Sequence, residues 1–346
     1  MTARLEALAA ELKAPLLVTN LVNVFYLCGF ESSNAALLVK PKGGATLFTD
    51  FRYAESAAEV QGVDLQITKR TMMVDLASRL KGRVQVEADV LPYLEWERLS
   101  SGGLNVVPTH GLVDTLRAVK DEEEVAKIRR ACRVADRAFE ALTAETFVGR
   151  TEKEVAWRLR ELLHAHGADE QSFDTIVASG PRGAMPHAHP TDNIIETRTL
   201  VTVDWGTRVD GYCSDCTRTV STGDLPGRLR EIYDVCLRAQ ERACAEIRPG
   251  MTGVDADALA RDPIEAAGYG DAFGHGLGHG VGLMVHEAPR LSTESPDALA
   301  TGHVFSIEPG IYLPGEGGVR IEDLAVLRED GPELLTTFPK RLIDVS

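Results

Sequence analysis

Two segments of this chain carry pairs of acidic residues on apolar, strand-like runs that flank a turn. The first, TVDWGTRVDGYCSDCTRT, contains Asp204 and Asp215, and the second, SIEPGIYLPGEGGVRIED, contains Glu308 and Glu322. Carboxylates among apolar neighbours are unfavourable unless an opposite charge cancels them. The chain must therefore adopt a fold that compensates four negative charges, and two divalent cations would balance them.

The first segment allows two hairpin registers. If the strands flank a four-residue turn at positions 208–211, Asp204 lies directly opposite Asp215, with Cβ atoms about 5 Å apart. If Asp210 and Gly211 alone form the turn, Thr217 lies opposite Asp204, and Asp215 lies one diagonal step away on the same face. Both registers bring the two carboxylates together.

The second segment predicts the same juxtaposition of two carboxylates. Glu308 and Glu322 lie on runs that flank a glycine-rich turn at positions 314–318. A hairpin centred on Gly315 places these two residues opposite each other. The four acidic side chains thus come from two hairpins that are about a hundred residues apart in the sequence.

The motif GHGLGHGVGLMVHE adds imidazoles to this set. It contains His275, His279 and His286, and the glycines between Gly274 and Gly280 let the backbone approach a bound group closely. Four carboxylates with one or two imidazoles suit manganese or cobalt, with zinc as an alternative. We expect two metal ions about 3.5–4 Å apart that polarise a carbonyl and activate a bridging hydroxide.

The N-terminal third of the chain has the pattern of a small α/β domain. The runs PLLVTN, NVFYLCGF, NAALLVK and GATLFTD predict strands and hairpins, and helical stretches then alternate with the apolar runs VDLQI and RVQVEA. No glycine-rich phosphate-binding loop accompanies them. We place the end of this domain at residue 117.

The pattern changes at residue 118, where the second domain, 118–346, begins. Asp121 with Glu124 and Thr151 with Glu154 predict the starts of two helices. Strand signals return from residue 173, and strands and helices occur in separate blocks with hairpin-length links. This grouping favours an α+β fold with a mainly antiparallel sheet.

Charge and composition limit the partners and the location. The 346 residues include 37 Lys and Arg against 52 Asp and Glu, a net charge of −15 that repels nucleic acid and anionic membranes. Glu6 and Glu11 interrupt the N-terminal run where a signal peptide needs apolar residues, so we expect a cytoplasmic protein. The scattered cysteines are interpreted as reduced thiols. They are Cys28, Cys132, Cys213, Cys216, Cys236 and Cys244.

Taken together and in this order, the motifs resemble those of the pita-bread metallopeptidases, in the branch of prolidase and aminopeptidase P. The matching motifs are VDWG, SDCTRT, HGLGHGVGLMVHE, EPGIY and RIED, within residues 120–346. The resemblance implies a pita-bread catalytic domain preceded by a creatinase-like N-terminal domain. It also implies a homodimer.

The resemblance implies five metal ligands, which fall on Asp204, Asp215, His279, Glu308 and Glu322. In that family pattern Asp215 and Glu322 bridge both metals. Asp204 completes one metal site, and His279 with Glu308 completes the other. Glu308 is also the proton carrier that handles the nucleophilic water.

Further site residues are carried over from the same family. His187 matches the histidine upstream of the first aspartate, and His275 and His286 match those that flank the substrate and the tetrahedral intermediate. Tyr312 and Arg320 match positions that orient the ligand side chains. Arg290, four residues after His286, is a candidate to pair with a substrate carboxylate.

The implied reaction is hydrolysis of the peptide bond on the amino side of proline, with proline-containing peptides as substrates. We prefer a dipeptidase, and the alternative is an aminopeptidase P that releases the first residue of longer peptides. A methionine aminopeptidase lacks a comparable front domain, and the creatinase branch works without metal. A non-catalytic peptide-binding module is a distant alternative, because such a protein has no need to keep four costly carboxylates.

Overall fold

The computed structural model describes residues 2–346. The chain divides into two compact units, with the boundary between Arg117 and Ala118. Each unit has its own sheets and its own cluster of buried apolar residues.

The N-terminal unit is built on one mixed sheet. Its strands are β1 (Leu16–Val18), β2 (Ala35–Val39), β3 (Ala45–Asp50), β4 (Asp64–Thr68), β5 (Arg83–Glu87) and β6 (Asn105–Thr109). Its helices are α1 (Ala3–Glu11), α2 (Leu21–Cys28), α3 (Ala54–Ala58), α4 (Met72–Arg79), α5 (Tyr93–Ser101) and α6 (Leu112–Ala118). The strand order is β4-β3-β2-β1-β5-β6. Strands β1 to β3 pair antiparallel, and the outer pairs are parallel.

One segment of this unit differs from its prediction. The run NVFYLCGF is predicted as a strand, but it lies largely in helix α2. The Asn20 side chain accepts a hydrogen bond from Val22 N at 3.0 Å, and Gly29 ends the helix with φ 71°. The strand prediction is wrong because a short, wholly apolar run has no period that separates a strand from a buried helix.

The second unit begins with two long helices, α7 (Glu122–Thr143) and α8 (Glu152–Ala165). Asp121 accepts a hydrogen bond from Glu124 N at 2.8 Å, and the Glu124 carboxylate accepts one from Asp121 N at 3.1 Å. Thr151 and Glu154 form the same reciprocal cap. Both predicted helix starts are confirmed. Two further helices, α9 (Gly227–Glu246) and α10 (Gly253–Ala266), follow later in the chain.

The strands of the second unit pair antiparallel, which confirms the predicted sheet type. They are β7 (Glu170–Gln171), β8 (Ile176–Ser179), β9 (Leu200–Trp205), β10 (Thr207–Val209), β11 (Tyr212–Cys213), β12 (Cys216–Ser221), β13 (Gly278–Gly280), β14 (Glu287–Leu291), β15 (Val304–Ile307), β16 (Gly310–Leu313), β17 (Gly317–Arg320), β18 (Asp323–Arg328) and β19 (Gly331–Leu334). The largest sheet has the order β14-β13-β15-β18-β19, and a second one has the order β12-β9-β8.

Helices cover both of these sheets with apolar side chains. Phe139 of α7 stacks on Trp205 of β9, with ring centroids 3.9 Å apart, and both are fully buried. Ile232 of α9 and Ala256 of α10 belong to the cluster that includes Phe305 of β15. Strands packed in this way are rigid, so they can hold side chains in a fixed geometry. None of the helices within residues 2–346 has the length and apolarity that a bilayer span requires.

Candidate metal centre

The first acidic hairpin adopts the register with the two-residue turn. Arg208 pairs with Cys213 in the outer part of the hairpin, and Asp204 pairs with Thr217 in the inner part. Asp210 and Gly211 form the turn with φ 51° and 82°, the left-handed pair that matches the twist of the flanking strands. The register that pairs Asp204 directly with Asp215 is therefore wrong.

The second acidic hairpin has the predicted register. Tyr312 pairs with Gly318, next to the turn at Gly315. The same alignment continues beyond the acids, where β15 pairs with β18. Glu308 and Glu322 lie opposite each other between these two paired regions, which confirms the proposed hairpin.

The two hairpins and β13 bring three donor groups together. The ligand atoms of Asp215, His279 and Glu322 all lie within 4.8 Å of one another. His279 Nε2 is 3.7 Å from Asp215 Oδ2 and 3.1 Å from Glu308 Oε1. Asp204 is linked to Glu322 by hydrogen bonds through Arg320 and Thr217, so the fifth predicted ligand belongs to the same group.

Each hairpin supplies a donor that holds an acid of the other. Arg320, from the second hairpin, donates Nη2 to Asp204 Oδ2 at 2.7 Å. Thr217, from the first hairpin, donates its hydroxyl to Glu322 Oε2 at 2.7 Å. Arg320 also donates Nε to Thr217 Oγ1 at 3.0 Å and Nη1 to the Tyr312 hydroxyl at 3.0 Å. Tyr312 and Arg320 thus lie where the sequence places them, in contact with the acidic cluster.

Three residues that surround and hold the acidic side chains were not identified from the sequence. Besides Thr217, Ser306 donates its hydroxyl to Glu308 Oε1 at 2.9 Å and accepts a hydrogen bond from His279 N at 3.0 Å. Arg218 is buried and pairs with Asp323 at 2.7 Å, next to Glu322. Strand alternation could have found the two hydroxyls, because each lies two residues from a predicted ligand and therefore on the same face.

Burial and mutual repulsion govern the protonation of the acids. Burial raises the pKa of Asp215, and the negative charges of Glu322 and Asp204 raise it further. Burial likewise raises the pKa of Glu322, with Glu308 and Asp204 adding to the effect. Burial also opposes the charged form of Glu308, but the hydrogen bond and charge of His279, together with the charges of His275 and Arg320, outweigh it, so the pKa of Glu308 is lowered. One imidazole and one guanidinium do not compensate four carboxylates.

The unpaired polar atoms of the cluster fit a divalent cation. Among residues 2–346, Asp204 Oδ1 and Glu322 Oε1 are buried side-chain oxygens without a hydrogen-bond partner. Buried polar atoms of this kind normally have one. Oxygen atoms that face one another, with an imidazole nitrogen beside them, form a donor set that divalent cations bind. The residues present therefore fit the metal ions that the sequence implies.

The ring orientation of His279 agrees with a ligand role. Its Nδ1 lies 3.2 Å from the Gly280 carbonyl oxygen, which can only accept a hydrogen bond. Nδ1 therefore carries a proton, and Nε2, the ring nitrogen that faces the carboxylates, is the atom available to a metal ion. Burial opposes protonation of His279, but the hydrogen bond to Glu308, the negative charges of Glu308 and Asp204 and the Gly280 carbonyl together outweigh it, so the pKa of His279 is raised.

Three further histidines lie around this cluster. His286 packs against His279 with ring centroids 4.3 Å apart. His275 Nε2 is 2.9 Å from the Tyr312 hydroxyl. Burial lowers the pKa of both His275 and His286, and the charge of His187 acts in the same direction on each. His275 and His286 thus contact residues of the cluster, and Arg320 donates a hydrogen bond at 3.1 Å to the carbonyl oxygen of Pro186, the residue before His187.

Arg290 lies at the exposed margin of this region. Its side chain is exposed, it forms no ion pair among residues 2–346, and the sheet register places it opposite His279. It acts electrostatically on His286. A free guanidinium near the predicted catalytic histidines can pair with a carboxylate of a ligand.

The fold and the acidic site define a metallopeptidase. A model of metallopeptidase family M24 matches residues 126–329, and a model of the creatinase/prolidase N-terminal domain matches residues 3–119. The chain belongs to metallopeptidase family M24. The resemblance found in the sequence, and the α+β pita-bread fold expected from it, are confirmed.

Relatives within this family align along almost the whole chain. The Xaa-Pro dipeptidase of Pyrococcus furiosus is 37% identical over 325 residues, which cover 93% of each protein. The solved Xaa-Pro dipeptidase from Bacillus anthracis is 38% identical, with a TM-score of 0.96 and 99% of each chain covered. The X-Pro aminopeptidase from Thermotoga maritima is 35% identical, with a TM-score of 0.88, and the match covers 96% of this chain and 97% of that one.

Proposed function

We propose that this chain is a dinuclear metal-dependent Xaa-Pro peptidase that cleaves the bond on the amino side of proline. The observation that carries the proposal is the convergence of Asp215, His279 and Glu322 donor atoms within 4.8 Å. The Xaa-Pro dipeptidases that match nearly the full chain support the substrate class and favour a dipeptidase. The similarity to an X-Pro aminopeptidase supports the second candidate, release of the first residue from longer peptides.

We propose that two divalent ions bind to the five sequence-predicted ligands, with manganese preferred over cobalt and zinc. The ligands are Asp204, Asp215, His279, Glu308 and Glu322. The oxygen-rich composition of this set supports manganese. When bound, the ions supply Lewis acidity that polarises the scissile carbonyl and activates water.

The roles of the neighbouring side chains follow from their positions. Glu308 accepts the proton of the attacking water and delivers it to the proline nitrogen that leaves. Ser306 holds Glu308 Oε1 in place, and His279 Nε2 lies 3.1 Å from the same oxygen. His275, His286 and His187 contact the substrate, and His286 stabilises the negative charge that develops on the carbonyl oxygen.

Substrate recognition cannot use the scissile amide, because an Xaa-Pro bond has no N–H to donate. The pyrrolidine ring must therefore be recognised by packing, and the ends of the peptide by charge. We propose that Arg290 pairs with the C-terminal carboxylate of a dipeptide. Its exposed guanidinium and its proximity to His286 support this role.

We assign residues 118–346 as the catalytic domain and residues 1–117 as the creatinase-like N-terminal domain. The matched family regions support this division. We propose a cytoplasmic homodimer that acts on peptides and binds neither nucleic acid nor membranes, and the net charge of −15 supports the last two points.

An activity assay with metal-loaded protein tests the proposal. The purified chain is incubated with manganese, cobalt or zinc and offered Xaa-Pro dipeptides and Xaa-Pro-Yaa tripeptides. We expect free proline from the dipeptides, with the highest rate in manganese. Release of the first residue from the tripeptides alone would make the chain an aminopeptidase. No hydrolysis of either substrate, with metal bound, would contradict the proposed function and favour a binding module.

A further inference from the structure

A buried carboxylate that plays no part in the proposed metal chemistry lies at the start of helix α8. Glu152 has no exposed surface. Its two oxygens accept hydrogen bonds from Ser179, the last residue of β8, and from the segment that connects β8 to β9. That segment contains residues 180–190, called the His187 loop below after the histidine it carries.

The carboxylate of Glu152 binds both ends of the His187 loop. At the first end, Ser179 donates its backbone N–H at 2.9 Å and its hydroxyl at 3.0 Å to Oε1. At the second end, Thr191 donates its backbone N–H at 3.1 Å and its hydroxyl at 2.9 Å to Oε2. Within the loop, Arg182 donates Nε to Oε2 at 2.9 Å. The two ends of an eleven-residue loop are thereby closed on one side chain.

Arg182 extends this anchor to the far side of the loop. Its Nη2 donates a hydrogen bond to the carbonyl oxygen of His189 at 2.7 Å. On the opposite side, Arg320 donates Nη1 to the carbonyl oxygen of Pro186 at 3.1 Å. The peptide unit next to His187 therefore lies between the Glu152 anchor and the arginine that also holds Asp204.

We infer that Glu152 is a positioning residue that sets the reach of His187 toward the substrate. The inference rests on the proposed function, in which His187 contacts the peptide. His187 itself is exposed, so packing alone does not fix its position. A carboxylate with five donors around it resists displacement, because each donor would lose a buried partner if the loop moved.

The chemistry of the site requires a carboxylate at this position. All the groups that face the two oxygens are donors, and a carboxylate only accepts. A Glu152→Gln variant offers one accepting oxygen and turns an NH2 group toward N–H and O–H groups, so one end of the loop loses its anchor. The matched control is Glu154→Gln, in the same helical turn, because the exposed Glu154 caps Thr151 and does not contact the loop.

The experiment compares the two variants by amide hydrogen exchange and by steady-state kinetics with an Xaa-Pro dipeptide. In Glu152→Gln we expect faster exchange within residues 180–190 and a kcat/KM about tenfold lower or more, since small displacements of a catalytic contact have large effects. Metal content should remain that of the wild type. Glu154→Gln should match the wild type in all three measurements.

A double-mutant cycle separates positioning from general structural damage. If Glu152 acts through His187, then Glu152→Gln should lower kcat/KM by less than about twofold in a His187→Ala background. Thr191→Val removes one donor without removing the buried charge, and it should change exchange and kcat/KM in the same direction by a smaller amount. This variant keeps the test valid if Glu152→Gln does not fold.

Three results would overturn the inference. They are unchanged exchange of the loop in both Glu152→Gln and Thr191→Val, a full tenfold loss in the His187→Ala background, or loss of bound metal from folded Glu152→Gln. The exchange measurement needs no substrate. A wild-type protein without Xaa-Pro activity would therefore contradict the proposed function, whereas an unchanged loop would contradict only the role of Glu152.

Discussion

The two acidic hairpins present the same kind of side chain through different backbone geometries. In the second hairpin the pairing has one register from β15 and β18 to the turn at Gly315, and Glu308 faces Glu322. In the first hairpin the residue opposite Asp204 is the hydroxyl residue Thr217. Asp215 lies between β11 and β12, outside both strands. Regular strand pairing thus positions both acids of the second hairpin. In the first hairpin, a break in the pairing between β11 and β12 positions Asp215.

This difference shows that a carboxylate site does not need two symmetric pairs. The hydroxyl of Thr217 takes the place of a facing acid and holds Glu322, while Arg320 of the other hairpin holds Asp204. Repulsion between acids is reduced where one hairpin contributes a donor. The asymmetry predicts different consequences when corresponding acids are removed.

The largest expected effect is loss of activity when one acid of either hairpin is removed. Asp204→Ala and Glu308→Ala should each lower kcat/KM by more than the roughly 10- to 100-fold typical of residues outside the ligand set. Their stabilities should differ. Asp204→Ala leaves the buried guanidinium of Arg320 without its carboxylate, so it should lower the free energy of unfolding by about 1–3 kcal/mol.

Glu308→Ala removes one of the mutually repelling carboxylates and leaves no buried cation of fixed charge behind. We expect its free energy of unfolding without metal to stay within about 1 kcal/mol of the wild type. Urea unfolding of the metal-free proteins checks this. Equal destabilisation by the two variants would remove the energetic difference between the hairpins.

An intermediate effect is expected when either of the two hydroxyl groups that donate to an acid is removed. Thr217→Val removes the donor to Glu322, and Ser306→Ala removes the donor to Glu308. Each should weaken the affinity for manganese by about 10- to 100-fold, with activity recovered at higher metal concentration. Calorimetric titration with manganese measures the affinity.

Thr207→Val serves as the control for these variants, because Thr207 is equally buried and its hydroxyl binds the Glu170 carbonyl. Its manganese affinity should equal that of the wild type. If Thr217→Val bound manganese as tightly as this control, the hydrogen bond from Thr217 of the first hairpin to Glu322 of the second would have no role in metal binding.

The smallest expected effect is the pH dependence that a histidine adds to the second hairpin. His303, whose carbonyl accepts a hydrogen bond from Leu327 N at 2.8 Å, lies at the outer end of that hairpin. Burial, assisted by the charge of Lys120, lowers the pKa of His303 from 6.5 to about 4. The first hairpin, residues 200–221, contains no histidine.

The sign of this dependence follows from the lowered pKa. The folded state favours neutral His303, so its contribution to stability is complete above pH 6.5 and is lost as the pH falls toward 4. His303→Gln should therefore lose less stability than the wild type between pH 7 and pH 4.5, as measured by urea unfolding. Parallel stability curves for the two proteins would contradict this assignment.

The sequence predicted the parts of the fold whose local signals agree with one another. Both capping boxes start helices where expected, and the glycine-rich turn at 314–318 sets the second register. The register of the first hairpin was ambiguous, because its sequence is compatible with both a four-residue turn and a two-residue Asp210-Gly211 turn. The left-handed φ values that decide between them depend on the twist of the strands.

The site was predictable to a similar extent. The acids and His279 could be found because charge on apolar strands is conspicuous. Strand alternation gives the faces of Thr217 and Ser306, but the acid that each hydroxyl holds, like the partners of the buried Glu152, depends on what lies opposite it in three dimensions. Helix α2 was missed for a related reason, as a short apolar run is compatible with either secondary structure.

The hydrogen bonds between the two hairpins have a consequence for how this region folds. Asp204 finds its guanidinium only when residue 320 is in place, and Glu322 finds its hydroxyl only when residue 217 is in place. Neither hairpin is complete alone, so partial unfolding of one withdraws a partner from the other. The two hairpins should therefore fold and unfold as one cooperative unit. Metal ions would then bind after this unit has formed, to a site whose ligands are already in place.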